Sequence, residues 1–128
     1  MSTRILIVED DALSLKLMRD ALQAGGYETR ETGEGNDALE QAVDFAAYLV
    51  VMDIGLPGID GVAATRQLKA DVRTSRIPVV AVSAFAMPDD ERRMREAGCA
   101  AFLTKPIRLQ ELVRVVAELA GPSSAQRR

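Results

Sequence analysis

Tyr48-Leu49-Val50-Val51-Met52-Asp53-Ile54-Gly55-Leu56-Pro57-Gly58-Ile59-Asp60-Gly61 carries the pattern on which the fold turns. Tyr48 to Met52 is a nearly continuous apolar run that ends on a carboxylate and then breaks into Gly and Pro. Such a run reads as a strand covered on both faces, as in the interior of a parallel sheet. Outward along the chain, Pro78 to Ser83 repeats the same character. Ile5 to Val8, Ala100 to Thr104 and a weaker stretch, Tyr27 to Thr32, complete a set of strand-like segments.

Between these runs the apolar spacing is helical. Leu13, Leu17, Ala21 and Leu22 form one stripe, Leu39, Ala42, Val43 and Ala46 a second, and Leu109, Leu112, Val113 and Val116 a third. Gly25-Gly26 and Gly98 are placed to end helices through left-handed caps. Asp89 and Asp90 follow Pro88, where negative charge favours a helix start, and Asp60 is placed to cap the helix after it. Asp11 reads as a surface or capping residue. Alternation of strand and helix at this spacing implies an α/β architecture, a parallel sheet with helices on both faces. In such sheets, ligands bind beyond the carboxyl ends of the strands.

The 128 residues make one domain, residues 1–120, followed by a polar segment, 121–128, expected to be disordered. At 48% hydrophobic and 27% charged, the composition is that of an ordinary globular domain. No apolar run approaches the roughly 18 residues that span a membrane, and the start of the chain has no secretory pattern, so a cytoplasmic location is expected. The chain has no histidine, which excludes His-dependent triads and His metal sites, and its one cysteine, Cys99, reads as packing. A net charge of −3 argues against non-specific nucleic-acid binding.

The strand ends hold the chemistry. The first run ends in Glu9-Asp10-Asp11, the third in Asp53, the fourth in Ser83-Ala84 and the fifth in Lys105-Pro106. A parallel sheet brings these to one edge. Each alone has an ordinary explanation: an Asp as a turn or cap, a Lys as a solvated cation, a Ser as a helix cap. Together they form an acidic pocket with one ammonium and one hydroxyl. Clustered carboxylates repel, and a hard divalent cation such as Mg²⁺, which prefers oxygen ligands, relieves the repulsion. A phosphoryl group then has access to the pocket, because its transfer needs positioning and charge neutralisation. An Asp carboxylate is a suitable nucleophile. Lys105 suits one phosphoryl oxygen and the Ser83 hydroxyl another.

The segments ILIVEDD (5–11), VVMDIGLPGIDG (50–61), VVAVSA (79–84) and FLTKP (102–106) resemble, in this order and spacing, the receiver domains of bacterial two-component response regulators. The resemblance spans about residues 4–120. The segments GYET (26–29), IPVVAVSAFAM (77–87) and REAGC (95–99) draw it towards single-domain members that regulate the cell cycle. It implies a doubly wound, flavodoxin-like (βα)5 fold with strand order 2-1-3-4-5. It implies Asp53 as phospho-acceptor and a Mg²⁺ site, open also to Mn²⁺, made by Glu9, Asp10, Asp53 and the Gly55 backbone carbonyl. Ser83 and Lys105 would contact the phosphoryl group, with Ser83 and the aromatic Phe102 as switch residues. The implied partners are a sensor histidine kinase or a histidine phosphotransfer protein. Neither nucleic acid nor membrane is expected as a partner, and the chain is expected as a monomer or weak dimer. Phosphorelay from Asp53 to a partner histidine is the alternative role, and no turnover enzyme is implied.

This chain departs from the usual pattern in three ways. Glu9 stands where many receivers have Asp, and Phe102 where many have Tyr. Gly55 and Phe85 occupy positions where polar side chains often help orient the hydrolytic water, so slow loss of the phosphoryl group is expected. A flavin-binding protein on the same sheet order would need a hydroxyl- and Gly-rich loop after the first strand, and Glu9-Asp10-Asp11 is the opposite.

Overall fold

The computed structural model describes residues 3–56, 58–84 and 88–121. Five strands alternate with five helices: β1 (Arg4–Val8), α1 (Ala12–Ala24), β2 (Glu28–Thr32), α2 (Ala38–Phe45), β3 (Leu49–Asp53), α3 (Gly61–Ala70), β4 (Val79–Ser83), α4 (Pro88–Ala97), β5 (Ala101–Thr104) and α5 (Leu109–Ala120). A short 3-10 turn, Gly35–Asp37, precedes α2. All strand pairs are parallel and the order is β2-β1-β3-β4-β5, as expected from the sequence.

The unbroken apolar runs serve two cores at once. Successive strand side chains point to opposite faces, so Leu6, Val8, Val50, Met52, Val79 and Ala81 pack beneath α2, α3 and α4. Ile5, Ile7, Leu49, Val51, Val80 and Val82 pack beneath α1 and α5. Every residue of β3 and β4 is buried. The edge strand β2, Glu-Thr-Arg-Glu-Thr, is polar along its length, which discourages pairing with another chain.

The helix termini follow the capping expectations. Asp11 caps α1, its Oδ2 accepting from the Ser14 N–H at 2.9 Å, and Asp60 caps α3, its Oδ1 accepting from the Ala63 N–H at 2.9 Å. Gly98 sits at φ +110° after α4, and Gly26, not Gly25, takes the left-handed conformation after α1. Cys99 is buried in the core, as its surroundings suggested.

The buried helix faces differ in part from the stripes expected from the sequence. The buried residues of α1 are Met18 and Leu22, whereas Leu13 is 65% and Leu17 44% exposed, so the expected stripe is rotated. Leucines and a methionine lie on more than one side of this helix, at 13, 15, 17, 18 and 22, and several phases fit them equally. In α2 the buried set is Ala38, Ala42 and Phe45, and Ala46 is the exposed left-handed cap. In α5 it is Leu112, Val115 and Val116, which places Val115 in the core.

Gly61 is required by close approach. Its N–H bonds the Ile54 carbonyl at 3.0 Å. A Cβ there would collide with the Asp53 carbonyl oxygen and lie 2.8 Å from the Ile54 Cα. Gly61→Ala is therefore expected to destabilise the fold by about 1–3 kcal/mol, read as a lower denaturation midpoint. Unchanged stability would show that the turn relaxes freely. The Thr65 hydroxyl, buried in α3, has no hydrogen-bond partner among the described residues, and an unmet buried hydroxyl costs stability. Thr65→Val should raise stability by about 1 kcal/mol in denaturant unfolding, and a loss of that size would reveal a partner for the hydroxyl.

Candidate functional site

Parallel pairing carries four chain segments to the same edge. Val8 pairs with Met52, so the next residues, Glu9 and Asp53, lie side by side. Asp53 pairs with Val82, and Ser83 with Thr104. The ladders run one residue past the strand ends: the Glu9 N–H donates to the Thr32 carbonyl at 3.0 Å, Ile54 to Val82 at 3.0 Å, and Lys105 to Ser83 at 2.7 Å. The backbones at the site are thus held by sheet hydrogen bonds, both for Asp53 and Ser83, which end their strands, and for Glu9 and Lys105, which lie one residue past theirs. The Lys105–Pro106 peptide is cis.

Glu9 (1% exposed) and Asp53 (6%) are buried, while Asp10 is exposed at the mouth. Each of the three can offer a carboxylate oxygen, and these oxygens lie within 4.8 Å of one another. The Lys105 Nζ sits 2.7 Å from Glu9 Oε1 and 3.7 Å from Asp53 Oδ2. Backbone amides reach the remaining oxygens, Asp11 N–H to Glu9 Oε2 at 3.1 Å and Gly55 N–H to Asp53 Oδ1 at 3.2 Å. Ser83, 3% exposed, ends the adjacent strand β4. Phe102 pairs with Ala81 and packs, partly buried, against the core under α3 and α4. A Cβ added at Gly55 would meet no atom of the described residues within 4 Å. Phe85 and the 122–128 segment lie outside the described residues.

Three carboxyl groups against one ammonium leave an excess of negative charge, which a divalent cation would offset. The donors are all hard oxygens, the set that Mg²⁺ or Mn²⁺ takes and that soft metals do not favour. The residues present therefore fit such an ion.

Burial, reinforced by the neighbouring Asp53 carboxylate, pushes the Glu9 carboxyl up to about 7 against the pull of Lys105 and the Asp11 amide. Burial works to lower the Lys105 ammonium, but the Glu9 hydrogen bond and the Asp53 charge outweigh it and raise its pKa.

Sequence reasoning did not single out the rest of the cleft. Glu31, Thr32, Gly33, Glu34 and Asp37 line it together with Glu9 and Asp10. Their stretch is polar and weakly patterned, and only the pairing of β2 with β1 brings it to the site. A second hollow, between α1 and the turn before α5, is lined by Leu13, Leu17, Lys105, Pro106, Ile107 and Leu109.

The raised Glu9 carboxyl has a consequence for stability. Between its ordinary 4.5 and about 7 the folded chain holds more of this proton than the unfolded chain. Stability from this group is full below 4.5 and is lost as pH rises through about 7. The Lys105 contribution is lost only above its ordinary 10.5, outside that window. In chelator, the melting temperature of the wild type should fall relative to Glu9→Gln across the window, by at least about 4 °C. Parallel profiles would contradict the shift.

Comparison with known proteins gives the same picture as the geometry. The model of the family described as response regulator receiver domain matches residues 5–117. The polar-differentiation response regulator DivK of Brucella ovis is 42% identical over 121 residues, 94% of this chain and 98% of that protein. A putative response regulator from Chloroflexus aurantiacus superimposes with a TM-score of 0.89 at 29% identity, covering 94% of this chain and 98% of the other. The receiver domain of the sensor histidine kinase PA1611 of Pseudomonas aeruginosa, whose structure has a magnesium ion coordinated in the active-site cleft, does so with a TM-score of 0.87 at 30% identity, over 94% and 99% of the two chains. With its parallel sheet, its edge of carboxylates and this match over nearly its whole length, the chain belongs to the response regulator receiver domain family.

Proposed function

We propose that this chain is a single-domain response regulator that accepts a phosphoryl group on Asp53 from a sensor histidine kinase, with Mg²⁺, and signals through phosphorylation-dependent protein contacts. The observation that carries the reading is the joint placement of Glu9, Asp10 and Asp53 within 4.8 Å, with Lys105 beside them. The magnesium ion in the cleft of the Pseudomonas receiver supports the choice of ion. The likeness to the polar-differentiation regulator DivK supports a role in polar differentiation, and the resemblance carried by residues 26–29, 77–87 and 95–99 favours one in cell-cycle control. Such a module works in the cytoplasm, where histidine kinases draw on ATP. No described helix is long and apolar enough to cross a membrane.

The chemistry follows from the groups present. A carboxylate oxygen of Asp53 attacks phosphorus, the new O–P bond forms as the donor's P–N bond breaks, and the imidazole leaves with its electron pair. Glu9, Asp10, Asp53 and the Gly55 carbonyl would hold the cation, Mg²⁺ or Mn²⁺. That cation, when bound, supplies positive charge against the phosphoryl oxygens. The Gly55 N–H on Asp53 Oδ1 fixes the carboxylate's orientation. Lys105, 3.7 Å from Asp53 Oδ2, is within reach of one phosphoryl oxygen, and the Ser83 hydroxyl on the adjacent strand serves another. A new charge at Asp53 then biases the position of Ser83 and Phe102, and through them the surface of α4, β5 and α5. The exposed Leu13 and Leu17, beside Pro106 and Ile107, offer an apolar face next to the site for a protein partner. Transfer in reverse, from Asp53 to a partner histidine, would make the chain a phosphorelay intermediate. Phosphate recovered on that histidine is the observation that assigns this role.

Intact-protein mass spectrometry after incubation with acetyl phosphate tests the reading. One phosphoryl group should be gained with Mg²⁺ and not with chelator, and Asp53→Ala should gain none. Incorporation by Asp53→Ala at the wild-type level would move the acceptor elsewhere. The phosphorylated form should be long-lived, because Gly55 presents no side chain to the hydrolytic water. Gly55→Asn, which has room among the described residues, should shorten that lifetime by about tenfold, a modest part of what positioning can supply, and an unchanged lifetime would show that this position does not control hydrolysis.

A further inference from the structure

Lys105 does not rest on the proposed acceptor. Its Nζ lies 2.7 Å from Glu9 Oε1, a close ion pair, and 3.7 Å from Asp53 Oδ2, a looser one. Both ends of the shorter contact are fixed. The Glu9 side chain is fully buried, its backbone is bound to Thr32 and its Oε2 to the Asp11 N–H. The Lys105 side chain is 18% exposed and its backbone is bound to Ser83. Asp53, in turn, has the Gly55 N–H on Oδ1. An aspartate at position 9 would be shorter by one C–C bond, ~1.5 Å, and would bring the Glu9-type contact with Lys105 to about the Asp53 distance or beyond it.

We infer that Glu9 is a positioning residue for Lys105: its extra methylene draws the ammonium off Asp53, so that the carboxylate at position 53 stands ready and an entering cation exchanges with Lys105 at Glu9. This rests on the reading of Asp53 and its neighbours as a cation-dependent acceptor site. In that site the length of the acid at position 9 decides which carboxylate the lysine holds when no cation is bound. Glu9 and Lys105 are then coupled towards the cation, since what one gives up the other must release.

Two measurements at pH 8 test it. In metal-free protein, carboxylate-resolved ¹³C NMR should show that Lys105→Met moves the Glu9 side-chain signal and leaves that of Asp53 nearly in place. In a Glu9→Asp background the same replacement should move the Asp53 signal. An equal movement of the Asp53 signal in both backgrounds would overturn the inference. Calorimetric titration with MgCl₂ alone supplies the second arm, over wild type, Glu9→Asp, Lys105→Met and the double variant. The factor by which Glu9→Asp changes the dissociation constant should differ by more than about threefold with and without Lys105, the signature of coupled residues. A smaller difference would mean that position 9 acts only through its own reach, and would also overturn the inference. Lys105→Gln replaces Lys105→Met if the latter does not fold. Absence of any Mg²⁺ binding by the wild type would count against the proposed function, while the metal-free NMR arm would still decide the role of Glu9.

Discussion

Two buried carboxylates, Glu9 and Asp53, are held side by side by the pairing of β1 with β3. Buried like charges are unfavourable unless something answers them. In this chain the answer is partly built in. Lys105 reaches Glu9, and backbone amides of Asp11 and Gly55 reach the outer oxygens. What remains is a negative edge that suits a hard divalent cation. The rest of the molecule serves to keep these groups in register. The two apolar layers fix the sheet, and the sheet fixes where each strand ends.

That arrangement explains why the strands are apolar on both faces while their ends are charged. Val50 and Met52 face one core, Leu49 and Val51 the other, and Asp53 is the first residue of the run with no apolar layer to join. The helix that follows is brought hard against it: Gly61 touches the Asp53 backbone, and Asp60 caps the helix beside it. The Asp60 side chain also lies 3.6 Å from Arg93 of α4, an exposed pair of small energetic weight. Rigidity at the site therefore comes from close packing and backbone bonds and owes little to surface charge. The same logic places Lys69, whose ammonium bonds the Ser75 and Ile77 carbonyls at the far end of the sheet.

Much of this was legible in the sequence, for definite reasons. Apolar runs at 48–52 and 78–82 have few other readings, and their polar ends, Asp53 and Ser83, follow from where a covered strand stops. Asp11 and Asp60 were recognisable as caps because a short acceptor before a helical stripe has a local partner two or three residues on. What the sequence hid depends on contacts distant in the chain. The phase of α1 could not be chosen among leucines at 13, 15 and 17 until α5 was packed against it. The acidic lining from Glu31 to Asp37 belongs to the cleft only because β2 lies beside β1. The steric need for Gly61 is invisible without the Asp53 carbonyl above it. The preference of Lys105 for Glu9 over Asp53 is a matter of one methylene, and no pattern of residue types contains it.

The most direct test of the central claim is a crystal structure grown with MgCl₂ and beryllofluoride, a stable mimic of a carboxyl-bound phosphoryl group. The account predicts beryllofluoride on the Asp53 carboxylate, a cation held by Glu9, Asp10, Asp53 and the Gly55 carbonyl, and Lys105 turned from Glu9 to the fluorides. Beryllofluoride on another side chain, or a cation bound away from these carboxylates, would contradict it.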